Sequence, residues 1–183
     1  MTKQARLDDL MAAIPHVLAA PKTDAPIDML CWRPGFGERR FVDDLALTVD
    51  GGIPGDRGQS HPWLTLPDGS PDPRAQVSVL SKRVVDAVWL DRDNVVHPGD
   101  PIVADIDTSF ENLPAGTRLR AGSAVLEVSD VPNDGCVKWK LRYGQDAKDW
   151  LVLPETLPHR LRGVLCRVVQ DGVVTRADHL IKL

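Results

Sequence analysis

Gly163-Val164-Leu165-Cys166-Arg167-Val168-Val169-Gln170-Asp171-Gly172-Val173-Val174-Thr175 is the stretch on which the fold reading turns. Asp171-Gly172 lies between Val168-Val169 and Val173-Val174, and Asp-Gly tolerates the positive φ angles of a type I′ turn. The pattern predicts a β-hairpin with strands over Gly163 to Val169 and Gly172 to Thr175. The same texture runs through the chain: short apolar runs broken by Pro, Gly and Asp. They occur at Ile27 to Trp32, Phe41 to Thr48, Gln76 to Val79, Pro101 to Asp105, Arg118 to Leu119, Ala124 to Val131 and His179 to Leu183. Many short, Val-rich runs predict a mainly β (α+β) chain, mostly antiparallel, as a sandwich or barrel.

Helical patterns are few. Leu7, Leu10, Met11, Ile14, Val17 and Leu18 recur at helical spacing, so Leu7 to Ala20 is an amphipathic helix that Pro15 bends or divides and Pro21 ends. Ser81 to Leu90 places Val84, Val85, Val88 and Trp89 on one face, and Gln145 to Val152 forms a further short helix before Pro154. Ser60 to Pro73, rich in Pro, Asp and Gly, reads as a long loop, functional or simply mobile.

At 183 residues, with 43% hydrophobic and 26% charged residues, the chain can bury a sizeable single core. A net charge of −4, with no long basic run, argues against nucleic acid as a partner. No apolar stretch approaches the length of about 20 residues that a membrane span needs. Acids at Asp8 and Asp9, where a signal peptide needs its apolar core, argue against export. Cys31, Cys136 and Cys166 are widely spaced and odd in number, as expected of reduced thiols in a cytoplasmic protein.

Five stretches could carry chemistry. Asp50-Gly51-Gly52-Ile53-Pro54-Gly55-Asp56-Arg57 is either a turn with a surface Asp-Arg pair or a backbone cradle that lets Arg57 grip a phosphate or carboxylate. Gln76 to Leu80 is a strand feeding a helix capped by Ser81. Asp105 to Leu119 crowds acids, hydroxyls and Asn112 between a strand and a turn. It reads equally as an Asx-turn or as Asn112 set to read a heterocycle edge. Arg160 and Arg162 stand at a strand mouth, free to bind an anion or to pair with acids.

The fifth stretch is Val131-Pro132-Asn133-Asp134-Gly135-Cys136-Val137-Lys138-Trp139-Lys140-Leu141-Arg142-Tyr143-Gly144. A strand runs into a Pro/Asn/Asp/Gly break, Asp134 serves as helix N-cap, and Cys136 occupies the first turn. The helix dipole and the following Lys138, Lys140 and Arg142 favour the nucleophilic, metal-binding thiolate. If the helix runs from Gly135, Cys136, Lys140 and Tyr143 share a face, which makes Lys140 the cation that senses the thiolate. The alternative is a small cysteine that merely packs. No Walker loop, dinucleotide glycine fingerprint, G-x-S-x-G elbow or close zinc-ligand spacing occurs.

In order along the chain stand Gly37-Glu38-Arg39-Arg40, the turn Gly52 to Arg57, Gln76-Val77-Ser78, Phe110-Glu111-Asn112-Leu113, a strand pair with turn glycines (Gly116 to Val128), the single Cys136 after a Pro-containing turn, Arg162-Gly163 and Asp171-Gly172. This order resembles the MOSC domain, the family named for the C-terminal domain of molybdenum cofactor sulfurase, from about Ile27 to the C-terminus. The resemblance implies a β-barrel with a few peripheral helices over residues 26–183, with residues 1–25 as an N-terminal helical extension, in a stand-alone, bacterial-type protein. It implies that Cys136 carries or receives sulfur, or ligates the molybdenum of a pterin cofactor in a reductase of N-hydroxylated compounds. Arg57, Asn112 and Arg162 would orient the pterin or its phosphate. Pyridoxal phosphate enters by family association only. Phe110 stands where the amidoxime-reducing relatives carry arginine, and Ala177-Asp178 replaces a family Gly-Asp.

The partners so implied are a small-molecule substrate or sulfur donor and a redox or cysteine desulfurase protein. The activities implied are those of a sulfurtransferase or a molybdenum-dependent oxidoreductase. The alternatives are a non-catalytic barrel that binds a small molecule or anion, and an interaction protein for which an exposed Trp63 would mark the partner surface.

Overall fold

A computed structural model describes residues 3–183. Ten strands and five helices follow one another as α1 (Leu7–Leu18), β1 (Asp24–Trp32), β2 (Arg40–Val42), β3 (Asp44–Leu47), α2 (Arg57–Ser60), β4 (Val77–Ser81), α3 (Lys82–Val88), β5 (Ile102–Ala104), β6 (Arg118–Ala121), β7 (Ala124–Val128), α4 (Val137–Tyr143), α5 (Gln145–Asp149), β8 (Val164–Gln170), β9 (Gly172–Thr175) and β10 (His179–Lys182). Seven of the strands close a barrel in the order β1-β10-β6-β7-β8-β4-β5 and back to β1, and β2 adds to β1. Only β4 and β5 run parallel. Parallel neighbours need a crossover, and α3 with the segment after it supplies one.

The sequence of β4 and β5 explains how the barrel acquires its helical coat. Val77, Val79, Ile102 and Ala104 face the barrel interior, while Leu80 and Val103 face outward into a second core with Val84, Val85, Trp139, Trp150 and Leu161. Both strands carry apolar side chains on both faces, Ser78 being the polar exception on the outward face of β4, as suits strands covered on both sides. Each such Val, Leu or Ile contributes about 1.5–3 kcal/mol on burial. The helix α1 joins this second core through Leu10 and Val17. Its start is anchored by α5, whose Asp146 carboxylate accepts from the Leu7 N–H at 2.9 Å. Pro15 is accommodated inside α1, and its carbonyl still accepts from Ala19 N–H at 3.1 Å.

Two sequence expectations are corrected. Phe41 to Thr48 is not one strand but two, since β2 pairs with β1 and β3 pairs with β9. Asp171-Gly172 does not make a hairpin of β8 and β9. Both edges of β8 are taken, by β7 and by β4, so β9 has no ladder to join there. The Asp171 carboxylate accepts from Val49 N–H at 2.7 Å. A Cβ on Gly172 would lie 2.3 Å from Ala124 N. The glycine is needed for close packing rather than for positive φ. Among the described residues no helix is long and apolar enough to cross a membrane.

Candidate functional site

A cleft of about 1100 Å3 opens where six connecting segments of the barrel meet. The β1–β2 connection brings Arg33, Phe36 and Arg39; the turn before α2 brings Asp56 and Arg57; the segment 61–73 brings Trp63. The segment before β5 brings Pro98, Gly99 and Asp100. The β7–α4 connection and α4 bring Cys136, Lys138 and Arg142, and Arg162 precedes β8.

Buried acids fix this frame. Asp56 is 4% exposed and accepts from Arg33 N–H at 2.7 Å, from Arg33 Nη2 at 2.6 Å and from Gly58 N–H at 2.7 Å. Burial alone would raise its pKa, but the hydrogen bond and charge of Arg33 prevail and hold the carboxyl below its usual range. Asp56 therefore pairs with Arg33, not with its neighbour Arg57. Arg57 instead lies over the Phe36 ring at 5.6 Å, and Lys138 lies over the same ring at 4.7 Å. Phe36 is 73% exposed, and two cations from separate elements approach its ring.

Asp100 is the second fixed acid. Its Oδ1 accepts from Arg162 Nη1 at 2.7 Å, whereas its Oδ2 is buried without a hydrogen-bond partner. Burial opposes the charge, but Arg162 beside it keeps the carboxyl below its usual range. Arg162 also stacks over Trp139 at 4.9 Å. Sequence reading missed Asp100 because a carboxylate within His97-Pro98-Gly99-Asp100-Pro101 looks like any turn residue. Beneath it, His97 is buried, accepts from Gly99 N–H through Nδ1 at 3.1 Å, and is pushed by burial down to about 4.

Among the cysteines only Cys136 is exposed, and only Cys136 lines the cleft. It occupies the N-cap position of α4 with extended backbone, φ −79° and ψ 175°. The expected N-cap, Asp134, lies two residues earlier, and Cys136 is not within the first turn. The shared helical face expected for Cys136, Lys140 and Tyr143 therefore does not form. Lys140 is exposed and outside the cleft, while Lys138 faces into it, the reverse of the sequence expectation. Cys31 and Cys166 are sealed inside; burial pushes each up to about 12, with Asp100 adding to the effect on Cys31. Cys31 Sγ donates to Asp100 O at 3.2 Å, a packing role.

Of the residues singled out from the sequence, Cys136, Arg57 and Arg162 come together in the cleft, and Asn112 does not. Asn112 is 3% exposed. Its amide donates to Lys22 O at 3.1 Å and to Asp107 O at 2.7 Å, and its Oδ1 accepts from Lys182 at 3.2 Å. The Asx-turn alternative holds nearby, since Asp107 Oδ1 accepts from Ser109 N–H at 2.9 Å. Arg160 also turns away from the cleft. It donates from Nε to Thr108 O at 2.8 Å and from Nη2 to Ser109 O at 2.9 Å. Trp63 is 63% exposed at the cleft edge.

Among the described residues no three His, Cys, Asp or Glu side chains converge on one point. Arg39, Arg57, Lys138 and Arg142 line the cleft with no carboxylate partner among the described residues. The arrangement suits an anionic ligand beside a reachable thiol.

No family model and no curated protein matches the chain. Solved structures do. A hypothetical protein is similar with a TM-score of 0.61 at 21% identity, covering 88% of this chain and 69% of that one. The YuaD protein from Bacillus subtilis is similar with a TM-score of 0.58 at 20% identity, covering 88% and 96%. YiiM from Escherichia coli is similar with a TM-score of 0.56 at 19% identity, covering 87% and 69%. At such identities the likeness establishes the fold alone, a β-barrel with peripheral helices, which is the architecture that the MOSC resemblance implies.

Proposed function

We propose that this chain works as a MOSC-type protein whose reactive group is the sulfur of Cys136, used to carry and transfer sulfur or to ligate the molybdenum of a pterin cofactor. One observation carries the reading: of the cysteines, Cys136 alone is exposed, and it opens into a cleft lined by Arg57, Lys138, Arg142 and Arg162.

In sulfur transfer, the Cys136 sulfur attacks the outer sulfur of a donor persulfide. A new S–S bond forms on Cys136, the donor's S–S bond breaks, and the donor leaves as a thiolate that takes up the proton Cys136 gives up. No external oxidant is needed. The cleft cations attract the negative charge of the bound persulfide, and the barrel wall limits water on one side of it.

The residues also fit a molybdenum–pterin group by the chemistry of their donors. Cys136 offers a single soft ligand, and the cations without carboxylate partners suit a phosphate. When bound, that group would supply two-electron redox chemistry toward N-hydroxylated compounds. Asn112 and Lys140 have no part in this reading, because neither faces the cleft.

The test is to express wild type and Cys136→Ser with a cofactor supply and with a persulfide donor. The expected result is loss of molybdenum or sulfane sulfur in the variant with an unchanged circular dichroism spectrum. Equal content in both proteins defeats the proposal and leaves the second reading, a non-catalytic anion-binding barrel, which the cations lacking carboxylate partners favour.

A further inference from the structure

Two of the cleft cations are arranged unlike the others. Arg39, from the β1–β2 connection, and Arg142, from the last turn of α4, both donate to the carbonyl of Pro98, at 3.1 Å and 3.2 Å. Arg39 also donates to His97 O at 3.2 Å. Neither has a carboxylate partner among the described residues, and each is half-buried. Burial, then the charge of Arg142, depresses the Arg39 pKa, so the two like charges oppose one another across a poorly solvated gap. The nearby acid, Asp100, is already committed to Arg162.

The backbone is shaped to hold this pair. Gly99 has φ +97°, and a Cβ there would lie 2.4 Å from Arg39 Nε. Only glycine lets the guanidinium lie flat along the Pro98–Gly99 peptide. Each guanidinium has five N–H donors; Arg39 Nη1 also donates to Glu38 O at 2.6 Å, so the carbonyl bonds leave two donors of Arg39 and four of Arg142 without a protein acceptor among the described residues. A pair of like-charged, desolvated forks with spare donors is a seat for an oxyanion.

Its position relative to the thiol is set by α4. Lys138, Trp139, Leu141 and Arg142 of this helix line the cleft, so the helix runs alongside it. Arg142 lies six positions beyond Cys136, the N-cap of α4, a backbone span of about 9 Å at the helical rise. We infer that Arg39 and Arg142 form a seat for the terminal carboxylate or phosphate of an elongated organic anion whose reacting end lies at Cys136. The inference rests on Cys136 as the reacting atom and adds a ligand class: one terminal oxyanion, about 9 Å of mostly apolar chain, and a sulfur-reactive head. Phe36 and Leu141, 73% and 74% exposed at the cleft, give the chain an apolar wall.

The test uses N-iodoacetyl derivatives of glycine, 4-aminobutyrate and 6-aminohexanoate as reagents for Cys136, with iodoacetamide as the uncharged reference. The ratio of each rate to that of iodoacetamide is measured on wild type, Arg39→Gln and Arg142→Gln. The 6-aminohexanoate derivative is expected to react about tenfold faster than iodoacetamide, with saturation, the glycine derivative is expected to show no such gain, and both variants are expected to lose the enhancement. Equal gains along the series, no gain at all, or a gain that survives both substitutions overturns the inference.

A second measurement does not need the thiol. Calorimetric titration of Cys136→Ser with inorganic phosphate is expected to give binding that Arg39→Gln or Arg142→Gln weakens about tenfold; unchanged affinity overturns the seat. Competition by hexanoate against butyl phosphate assigns the oxyanion to a carboxylate or a phosphate ligand. If iodoacetamide itself fails to label Cys136 while phosphate binding behaves as expected, the proposed function fails and the anion seat stands.

Discussion

Arg162 Nη1 reaches Asp100 Oδ1 at 2.7 Å, and the other oxygen of that buried carboxylate has no hydrogen-bond partner among the described residues. Removing one partner of a buried ion pair costs more than removing both, because it strands a charge. Arg162→Gln is therefore expected to lower stability by about 3 kcal/mol, and the double variant Arg162→Gln/Asp100→Asn by clearly less than the first change alone. Urea unfolding of the three proteins checks this. A double variant as unstable as Arg162→Gln would mean that the pair does not govern the cleft floor.

Two groups beside each other give the acid limb of stability two separate ranges. His97 lies against Asp100, Arg39, Arg162 and Arg92, and burial holds it neutral down to about pH 4, from an ordinary value of 6.5. A depressed folded value means that its contribution is complete above 6.5 and is lost as pH falls through 4. The Asp100 carboxyl is also depressed, from an ordinary 3.8, so its contribution survives to lower pH still. His97→Gln should flatten the stability curve between pH 6.5 and 4 while leaving the decline below that range. Thermal unfolding across that range is the measurement, and an unchanged slope in the variant would defeat it.

Arg160 is a structural clamp and not a ligand group. It is the only non-glycine residue with positive φ, at 45°, among those described, a conformation an L side chain adopts at a cost. Its guanidinium, 4.4 Å from the Phe110 ring, binds the carbonyls of Thr108 and Ser109. Arg160→Ala strands those acceptors and is expected to cost about 2 kcal/mol, while the rate of Cys136 alkylation stays at the wild-type value. Denaturant unfolding with parallel alkylation separates the two effects. A drop in alkylation without loss of stability would place Arg160 at the cleft after all.

What could be read from the sequence divides along a physical line. The barrel strands were legible because alternation and Val-rich runs are local signals. The double-sided burial of Val103 shows in the unbroken apolar run Ile102-Val103-Ala104, whereas Ser78 interrupts the run that holds Leu80. The partner of β9 was not legible, because Asp171-Gly172 suits a hairpin in isolation and only the filled edges of β8 forbid it. At the site, Cys136 stood out by the Pro-Asn-Asp-Gly break before it. The sequence favours Lys140 over Lys138 because the Pro-Asn-Asp-Gly break suggests a helix start earlier than Val137, and a shift of one or two residues rotates the whole face. Asp100 and the Arg39–Arg142 pair carried no local mark at all, since their meaning comes from partners far away in the chain.

The three thiols make a chemical map of the fold. Cys31 and Cys166 are wholly buried and held protonated up to about 12, from an ordinary value of 9.0, so neither offers thiolate at neutral pH. Native protein treated with iodoacetamide at pH 7.5 should gain one adduct, at Cys136, and two further adducts only in denaturant, as intact mass and peptide mapping would report. The same burial predicts an alkaline limb. A raised folded value means that the stabilisation is complete below 9.0 and disappears as pH climbs toward 12. Cys166→Ala should flatten stability over that alkaline range, at the expense of a small cavity that lowers it uniformly at all pH. Rapid native labelling of Cys166, or an alkaline limb unchanged in the variant, would contradict a sealed barrel interior and with it the selectivity of Cys136.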